Sequence, residues 1–189
     1  MKTGKLIVFS APSGSGKTTL VSAVRRNIPE LHFSISATSR APRGQERNGV
    51  DYFFLTPAEF RRKIVEGGFI EYEEVYRDTY YGTLKSQVEK QLAHGVNLIL
   101  DIDVKGAVNV KKIYGDKALL IFIQPPSIEV LKQRLISRGT DSMEVIRDRI
   151  DKASYELTFA PKFDCVIIND RLEKAEAEVE KVVDEFLNR

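Results

Sequence analysis

Short apolar runs recur along the chain, and polar or amphipathic segments separate them. Four of these runs are largely apolar over their whole length instead of alternating between apolar and polar residues. They cover residues 6–10 (LIVFS), 96–103 (VNLILDID), 118–124 (ALLIFIQ) and 165–169 (CVIIN). This pattern is typical of strands buried on both faces of a parallel sheet.

Helical periodicity follows or separates the apolar runs. It predicts helices over residues 17–27, 105–114, 127–138, 142–159 and 171–188. Ser127, after a Pro-Pro pair, is the predicted start of the third helix, and Asp141, with Glu144 three residues later, marks the predicted start of the fourth. Strands that alternate with helices predict an α/β fold with a parallel sheet flanked by helices.

Residues 36–83 break this rhythm, because aromatic and β-branched residues become frequent there. Within the segment, Thr56, Pro57 and Glu59 predict a capped helix start, and Gly67-Gly68 predicts its end. We interpret 36–83 as an inserted, small β-rich lobe with one helix. The charged, helical segment 127–160 is a candidate lid. One domain, 1–189, then has a core of residues 1–35, 84–126 and 161–189.

The bulk composition restricts the classes of partner. The chain has 189 residues and a net charge of +2, from 29 Lys and Arg against 27 Asp and Glu, so nucleic-acid or membrane binding is not expected. With one cysteine and two histidines, neither an internal disulfide nor a zinc site is expected. The first apolar run is too short for a signal peptide or a membrane span, which predicts a cytoplasmic protein. Composition leaves the oligomeric state open.

The segment after the first strand matches a phosphate-binding loop of the form G-x-x-x-x-G-K-[ST], with alanine in the first position. It reads Ala11, Pro12, Ser13, Gly14, Ser15, Gly16, Lys17 and Thr18, and a predicted helix follows. The alternative is a Gly/Ser-rich turn with an exposed lysine. As a phosphate loop, it predicts that Lys17 reaches the β- and γ-phosphates of a nucleotide and that the Thr18 hydroxyl faces Mg²⁺.

Alanine at position 11 is compatible with phosphate binding. Such loops bind phosphate through successive backbone N–H groups and the positive end of the helix. Glycine is required only where φ is positive or where a side chain would touch the phosphate. We expect those positions to be Gly14 and Gly16, and we expect the methyl group of Ala11 to fit at the strand exit.

A phosphate loop alone is compatible with ATPases, GTPases, motors and kinases. The base-reading N-K-x-D of a GTPase is absent from the sequence. Asp103-Val104-Lys105-Gly106 matches the weak pattern D-x-x-G, and its position at a strand end also suits a carboxylate near Mg²⁺. Asp103 therefore has more than one interpretation from the residues alone.

A second cluster of charge lies in the segment 34–54. Arg40, Arg43 and Arg47 fall within eight residues of one another, near Ser36 and Tyr52. A solvated, charged hairpin is one interpretation. The other is a second anion site, because arginine guanidinium groups bind phosphate oxygens in a bidentate manner.

Taken together, these motifs resemble those of bacterial guanylate kinases, which belong to the P-loop nucleoside monophosphate kinases. The similar segments run from Leu6 to Asp170 and include SAPSGSGKTT, SATSRAPRGQERNGVDYFF, FIEY, YYGT, LILDID and VIIND. The resemblance implies transfer of the ATP γ-phosphoryl group to GMP, and to dGMP, with Mg²⁺. It also implies a P-loop core, an inserted GMP-binding lobe and an arginine-bearing lid.

The resemblance assigns candidate site residues by position. Those similar to the phosphate grip for GMP are Arg40, Arg43, Tyr52 and Tyr81, with Glu46 beside them; those similar to guanine-reading residues are Ser36, Glu71, Thr83 and Asp103. Asp101 is assigned to the same site, in the environment of Mg²⁺ or an arginine. The ATP-binding residues would be 11–19, ending at Thr19, with Asn169 and Asp170 on the adenine side.

Arginines in the candidate lid resemble those that assist phosphoryl transfer in the family. With Lys17 and Arg40, the implied catalytic set is completed by Arg134, Arg138 and Arg149. An exposed helix face is the alternative explanation for the lid arginines. Periodicity does not separate Arg149 from Arg147, because both flank the apolar face of the predicted helix.

The sequence departs from the family pattern after Pro42-Arg43, where the glycine of PRGQE comes one position early. Two alternatives to guanylate kinase activity are a P-loop kinase for another nucleoside monophosphate and a non-catalytic interaction module. Modules of that kind typically have a degraded phosphate loop, whereas this chain keeps Gly14, Gly16, Lys17 and Thr18.

Overall fold

The computed structural model describes residues 3–139 and 141–189. Its strands are β1 (Leu6–Ser10), β2 (Leu31–Phe33), β3 (Ala37–Thr38), β4 (Phe53–Phe54), β5 (Phe69–Tyr76), β6 (Thr79–Leu84), β7 (Asn97–Asp101), β8 (Ala118–Gln124) and β9 (Cys165–Ile168). Its α-helices are α1 (Lys17–Asn27), α2 (Pro57–Val65), α3 (Lys85–Ala93), α4 (Val104–Tyr114), α5 (Ile128–Ser137), α6 (Met143–Leu157) and α7 (Leu172–Leu187). Short 3-10 turns follow α4 and α6.

The main sheet has five parallel strands in the order β2-β7-β1-β8-β9. This confirms the predicted α/β fold with a parallel sheet between helices. Strand β1 lies at its centre, where Leu6 pairs with Leu98 of β7 and with Ala118 of β8. The connection from β1 runs to β2 on one side of the sheet, whereas the connection from the neighbouring strand β7 crosses to β8 on the other side. Ligands of open α/β folds bind where the connections diverge in this way, which is where the loop after β1 lies.

Each face of the sheet buries a separate apolar cluster. Leu6 and Val8 point into the cluster that α3 and α4 cover, whereas Ile7 and Phe9 point into the cluster that α1 and α7 cover. All four side chains are fully buried. Burial of a side chain of this size contributes about 1.5–3 kcal/mol, so the central strand is held firmly from both sides.

A second, four-stranded sheet has the order β4-β3-β6-β5 and lies in the predicted β-rich insertion. Helix α2 covers it, and Phe60 stacks on Phe69 and Tyr80 with ring centroids 4.2 and 5.2 Å away. The predicted helix start is confirmed, because Thr56 and Glu59 form a reciprocal capping box. The predicted stop is also confirmed, since Gly67 follows the helix with φ of 67°.

Helices α5 and α6 pack against each other beside the main sheet, through Leu131, Leu135, Ile146 and Ala153. Ser127 caps α5 as predicted. The predicted start of α6 at Asp141 is wrong by one residue, because the Ser142 hydroxyl accepts from Val145 N and makes Ser142 the cap. Asp141 instead pairs with Arg149, so its carboxylate is engaged elsewhere.

Two elements of the main layer were not predicted. Strand β2 has three residues, of which only Leu31 is buried, and helix α3 has no side-chain cap at Leu84. Both therefore lack the apolar run or the cap on which the other assignments depend. Among residues 3–139 and 141–189, the structure has no helix with the length and apolar character of a membrane span.

Candidate nucleotide site

The phosphate loop joins β1 to α1 and has the backbone that phosphate binding requires. Gly14 and Gly16 have φ of 93° and 89°, the left-handed conformation that side chains disfavour. Ala11 does not need this conformation, and its side chain packs against the apolar cluster under α1. The expectation that glycine matters near Lys17 and not at position 11 is confirmed.

The start of α1 is open to an anion. Within the described residues no side chain caps the helix at Gly16, and its first turn has no acidic residue. The first backbone N–H groups of a helix have no partner inside the helix and carry partial positive charge. This end of α1 therefore presents free donors toward the cleft beside the loop.

Lys17 forms an ion pair with Asp101 at the carboxyl end of the neighbouring strand β7. Both line a cleft of about 480 Å³ that also contains Thr18 and Thr19. The carboxylate holds the ammonium group beside the loop. Asp101 thus contacts a lysine, not the arginine considered from the sequence.

The arginines of α5 and α6 reach the loop from the other side. Arg149 Nη1 donates to Ser13 Oγ at 2.9 Å, and its Nη2 lies 3.4 Å from Asp141 Oδ1. Arg147 is exposed on the same helix, so the structure separates the two arginines that periodicity could not. Arg138 is exposed at the end of α5 and also lines the cleft.

Arg134 and Asn169 lie under the loop. Arg134 Nη2 donates to the Asn169 carbonyl oxygen at 2.9 Å, and Asn169 Nδ2 donates to the Ser15 carbonyl oxygen at 2.7 Å. Asn169 is 6% exposed. Asp170 is exposed beside it, and both line a second cleft of about 370 Å³ with Gly16 and Thr19.

A third cleft, of about 260 Å³, lies between the two sheets. The predicted residues that line it are Ser36, Tyr52, Glu71, Tyr81, Asp101 and Asp103. Thr83 does not line it. Its buried hydroxyl instead donates to Glu71 Oε1 at 2.6 Å and orients that carboxyl group from behind.

Glu71 is the most perturbed carboxyl group of this cleft. Burial, together with the nearby charges of Asp103 and Glu73, raises the pKa of Glu71 to about 7 against the opposing hydrogen bond from Thr83. The side chain therefore exchanges a proton near neutral pH. A perturbed pKa in a cleft is a common mark of a functional group.

Asp103 both makes a structural contact and lines the cleft between the sheets. Its Oδ1 accepts from Gly106 N at 2.6 Å, which caps helix α4. The residue also lines the third cleft. The D-x-x-G pattern therefore has a local structural explanation, since its glycine N–H is the group that the aspartate caps.

Arg40 lies next to the third cleft without lining it. Its guanidinium group contacts both carboxylate oxygens of Glu46 at 2.6 and 2.8 Å and donates to Tyr81 Oη at 3.0 Å. It also lies 5.0 Å from the ring centre of Tyr52. The hydrogen bonds from Arg40 and from Arg43 N lower the pKa of Glu46 to about 2. The Arg43 side chain is exposed beside this group.

The early glycine of PRGQE shapes this turn. Gly44 has φ of 55°, and Glu46 N donates to Arg43 O at 3.1 Å across the turn. The left-handed residue brings the Glu46 carboxylate back toward Arg40. The departure from the family pattern therefore coincides with the position at which this loop needs a glycine.

Some residues in or beside these clefts were not predicted. Lys152 and Glu156 line the loop cleft with Arg149, and burial raises the pKa of Glu156. Their spacing of three and four residues along α6 places them on one stripe, which could have identified them. Gly106 packs against Glu71, and no local sequence signal marks that contact.

A larger cleft, of about 900 Å³, lies elsewhere, between α1 and the loop at Val50. Of the candidate site residues, its lining includes Ser36 and Tyr52. We locate the site by its convergent charges and by the phosphate loop instead of by cleft size.

A phosphate loop at the switch point of a parallel sheet, with arginines from two helices above it, defines a P-loop nucleotide-binding protein. The family model described as guanylate kinase matches residues 3–186. The chain belongs to the guanylate kinase family.

Individual relatives are similar to this chain over nearly its full length. The chain is 63% identical to a guanylate kinase of Bacteroides thetaiotaomicron, over 99% of this chain and 92% of that protein. It is 55% identical to a guanylate kinase of Porphyromonas gingivalis, over 97% and 98%. The crystal structure of guanylate kinase from Anaplasma phagocytophilum matches with a TM-score of 0.73 at 28% identity, over 100% of this chain and 88% of that chain.

Proposed function

We propose that this protein transfers the γ-phosphoryl group of ATP to GMP, and to dGMP, producing ADP and a guanosine diphosphate. The observation that carries the proposal is the meeting of two clefts. The loop cleft and the cleft between the sheets share Asp101, Ile102 and Asp103 at the edge of the main sheet. A triphosphate in the first and a monophosphate in the second would approach each other there.

The groups of the cleft between the sheets suit guanine. Guanine offers N1–H and N2–H₂ donors, which pair with carboxylates such as Glu71 and Asp103, and an O6 acceptor, which pairs with a hydroxyl such as that of Ser36. Adenine lacks the N1–H and the O6. With adenine bound, the polar groups of the site would stay unpaired. A site of this kind rejects the wrong base by roughly 10⁴-fold.

The residues in and around the loop cleft suit phosphoryl transfer without a general base, since the acceptor phosphate is already an anion. In our proposal Lys17 and the loop N–H groups hold the triphosphate. Arg40 and Arg43, with Tyr52 and Tyr81, hold the GMP phosphate. Arg134, Arg138 and Arg149 neutralise the charge that develops during in-line transfer, and positioning supplies the remainder of the catalysis.

Mg²⁺ is proposed as the cofactor of ATP. The Thr18 hydroxyl and the Asp101 carboxylate both line the loop cleft, and hard oxygen donors of this kind fit Mg²⁺. Within residues 3–139 and 141–189, no group of three or more His, Cys, Asp or Glu side chains could hold a metal alone, so phosphate oxygens and water would complete the shell. When bound, the ion neutralises phosphate charge.

An acceptor screen tests the proposal. ADP formation from ATP is measured by a coupled assay with GMP, dGMP, AMP, CMP and UMP in turn. We expect GMP and dGMP to be phosphorylated and AMP to be disfavoured by about 10⁴-fold. Equal turnover of AMP and GMP would remove the roles given to Glu71 and Asp103.

The non-catalytic alternative is not favoured, because the loop retains the glycine conformations and the lysine that phosphate needs. ATP binding that strengthens as Mg²⁺ is titrated distinguishes the enzyme from such a module. A cytoplasmic location, the absence of a nucleic-acid partner and the boundaries of lobe and lid stay predictions.

A further inference from the structure

Asn169 has the geometry of a support for the phosphate loop. It follows the edge strand β9, and its side chain points under the loop to the Ser15 carbonyl oxygen, 2.7 Å away. The two residues are 154 positions apart in sequence. The residue is 6% exposed, and its amide nitrogen is directed at the loop.

Gly16 makes this contact possible. A Cβ atom at position 16 would overlap Asn169 Nδ2, in addition to being strained by the positive φ. The absent side chain of Gly16 therefore has two consequences. It permits the left-handed backbone, and it leaves the space through which Asn169 reaches Ser15.

The backbone of Asn169 is connected to a second part of the site. Arg134 Nη2 donates to the Asn169 carbonyl oxygen at 2.9 Å, and the Asn169 N–H donates to Gln124 O at 2.8 Å. One residue thus joins helix α5, strand β8 and the phosphate loop. Removal of the amide would leave the Ser15 carbonyl group buried without this donor, which is costly in a protein interior.

We propose that Asn169 is a positioning residue, which fixes the Ser15–Gly16 backbone so that the loop N–H groups point at the triphosphate. This inference rests on the proposed assignment of the loop as the ATP site. It differs from the adenine-side role that the family resemblance implies for this position, because it predicts that the phosphates, and not the base, lose affinity when the amide is removed.

Inorganic tripolyphosphate separates the two roles, since it has phosphates and no base. We expect Asn169→Ala to weaken the binding of ATP and of tripolyphosphate by the same factor, about tenfold, in calorimetric titrations of the full chain. If tripolyphosphate binds the variant as tightly as the wild type while ATP binds less tightly, Asn169 contacts the base and the inference is wrong.

Asn97→Ala is the matched control. Asn97 Oδ1 accepts from Lys5 N at 2.9 Å at the amino end of the sheet, so its removal also deletes one amide-to-backbone hydrogen bond. We expect it to lower the thermal midpoint comparably and to leave tripolyphosphate binding unchanged. An equal loss of affinity in both variants would mean that general destabilisation is responsible, and it would overturn the inference.

Asn169→Asp adds a pH-dependent readout. Ionised aspartate cannot donate to the Ser15 carbonyl, whereas protonated aspartate can. We expect tripolyphosphate affinity, taken as a ratio to the wild type at each pH, to recover as pH falls. A ratio that stays constant with pH counts against the proposal. A wild type that binds neither ATP nor tripolyphosphate would instead sink the proposed function, and this inference with it.

Discussion

Protonation of Glu71 couples the proposed guanine site to pH. Burial raises the pKa of Glu71 to about 7, so the carboxyl group is mostly protonated at pH 6 and mostly ionised at pH 8. Only the ionised form accepts from both N1–H and N2–H₂ of guanine. We predict that guanosine affinity rises about tenfold from pH 6 to pH 8, following the ionised fraction.

Guanosine is the probe because it lacks the phosphate, which titrates in the same range. Glu71→Gln is the control variant, since glutamine does not titrate, and its guanosine affinity is expected to be independent of pH. A pH slope of the same size in the variant would assign the titration to another group.

The same raised pKa has a consequence for stability. The folded chain binds the Glu71 proton more tightly than the unfolded chain, whose value is the ordinary 4.5. The contribution of Glu71 to the free energy of unfolding therefore falls as pH rises from about 4.5 through about 7. Glu71→Gln removes this part of the pH dependence, which urea denaturation at several pH values measures.

Sequence identified the local part of the site and left out the distant contacts. The loop could be predicted because its residues are contiguous and its glycines have one physical purpose. The contact of Asn169 with Ser15 and the packing of Gly106 on Glu71 join residues that are far apart in the chain, and neither has a local signature. Thr83 was assigned to the base, but its hydroxyl is directed at Glu71.

At the scale of elements, helix α4 is pressed against strand β5. A Cβ atom at Gly106 would lie 2.9 Å from Glu71 Cγ and 3.0 Å from its Cβ, and Asn109 of the same helix donates to Ile70 O. The close approach fixes where the Glu71 carboxyl group lies.

Gly106→Ala is therefore predicted to displace Glu71 and to weaken GMP binding, even though alanine favours a helix by about 1 kcal/mol. We expect a loss of about tenfold in GMP affinity, because a displaced carboxylate loses one good hydrogen bond to the base. ATP affinity is the internal control and should not change. If the variant binds GMP as tightly as the wild type, helix α4 shifts to accommodate the methyl group and the prediction is wrong.

Helix α6 presents two arginines, of which only Arg149 reaches the loop. We predict that Arg149→Ala lowers kcat by about 10³-fold, the size expected for an arginine that neutralises charge in phosphoryl transfer. Arg147→Ala on the exposed face is the matched control, with turnover near that of the wild type. Equal losses in the two variants would place the effect in helix stability, which circular dichroism would detect.

Elements with strong buried patterns were predicted, and weak ones were missed for physical reasons. The central strands are apolar throughout because both faces are covered. Strand β2 buries one residue, and α3 buries only Val88 and Leu92 and begins without a cap. Their positions depend on pairing with β7 and on packing against the sheet, which a local pattern does not encode.

At the scale of the molecule, the site is accessible to solvent. Side-chain exposure is 23% for Lys17 and 36% for Arg149. Transfer to GMP instead of to water requires that the site close over both substrates. The β-rich insertion and helices α5 and α6 are the parts positioned to approach the loop.

We predict that the radius of gyration in small-angle X-ray scattering falls when GMP and a non-hydrolysable ATP analogue are bound together. Each nucleotide alone should produce a smaller decrease, because each contacts one side of the cleft. The ATP analogue together with CMP in place of GMP is the control for non-specific effects. An unchanged radius with both ligands would mean that the open form is already the reacting form.

The order of strands in the main sheet also determines when the protein becomes able to hold nucleotide. Strand β1 leaves the ribosome first, but its partners follow only near residues 98 and 118, and Asn169 emerges later still. Contacts so distant in sequence form late and slowly. The loop is thus synthesised before the strands and the asparagine that support it. The nucleotide site is therefore complete only after the whole range from β1 to Asn169 has been synthesised.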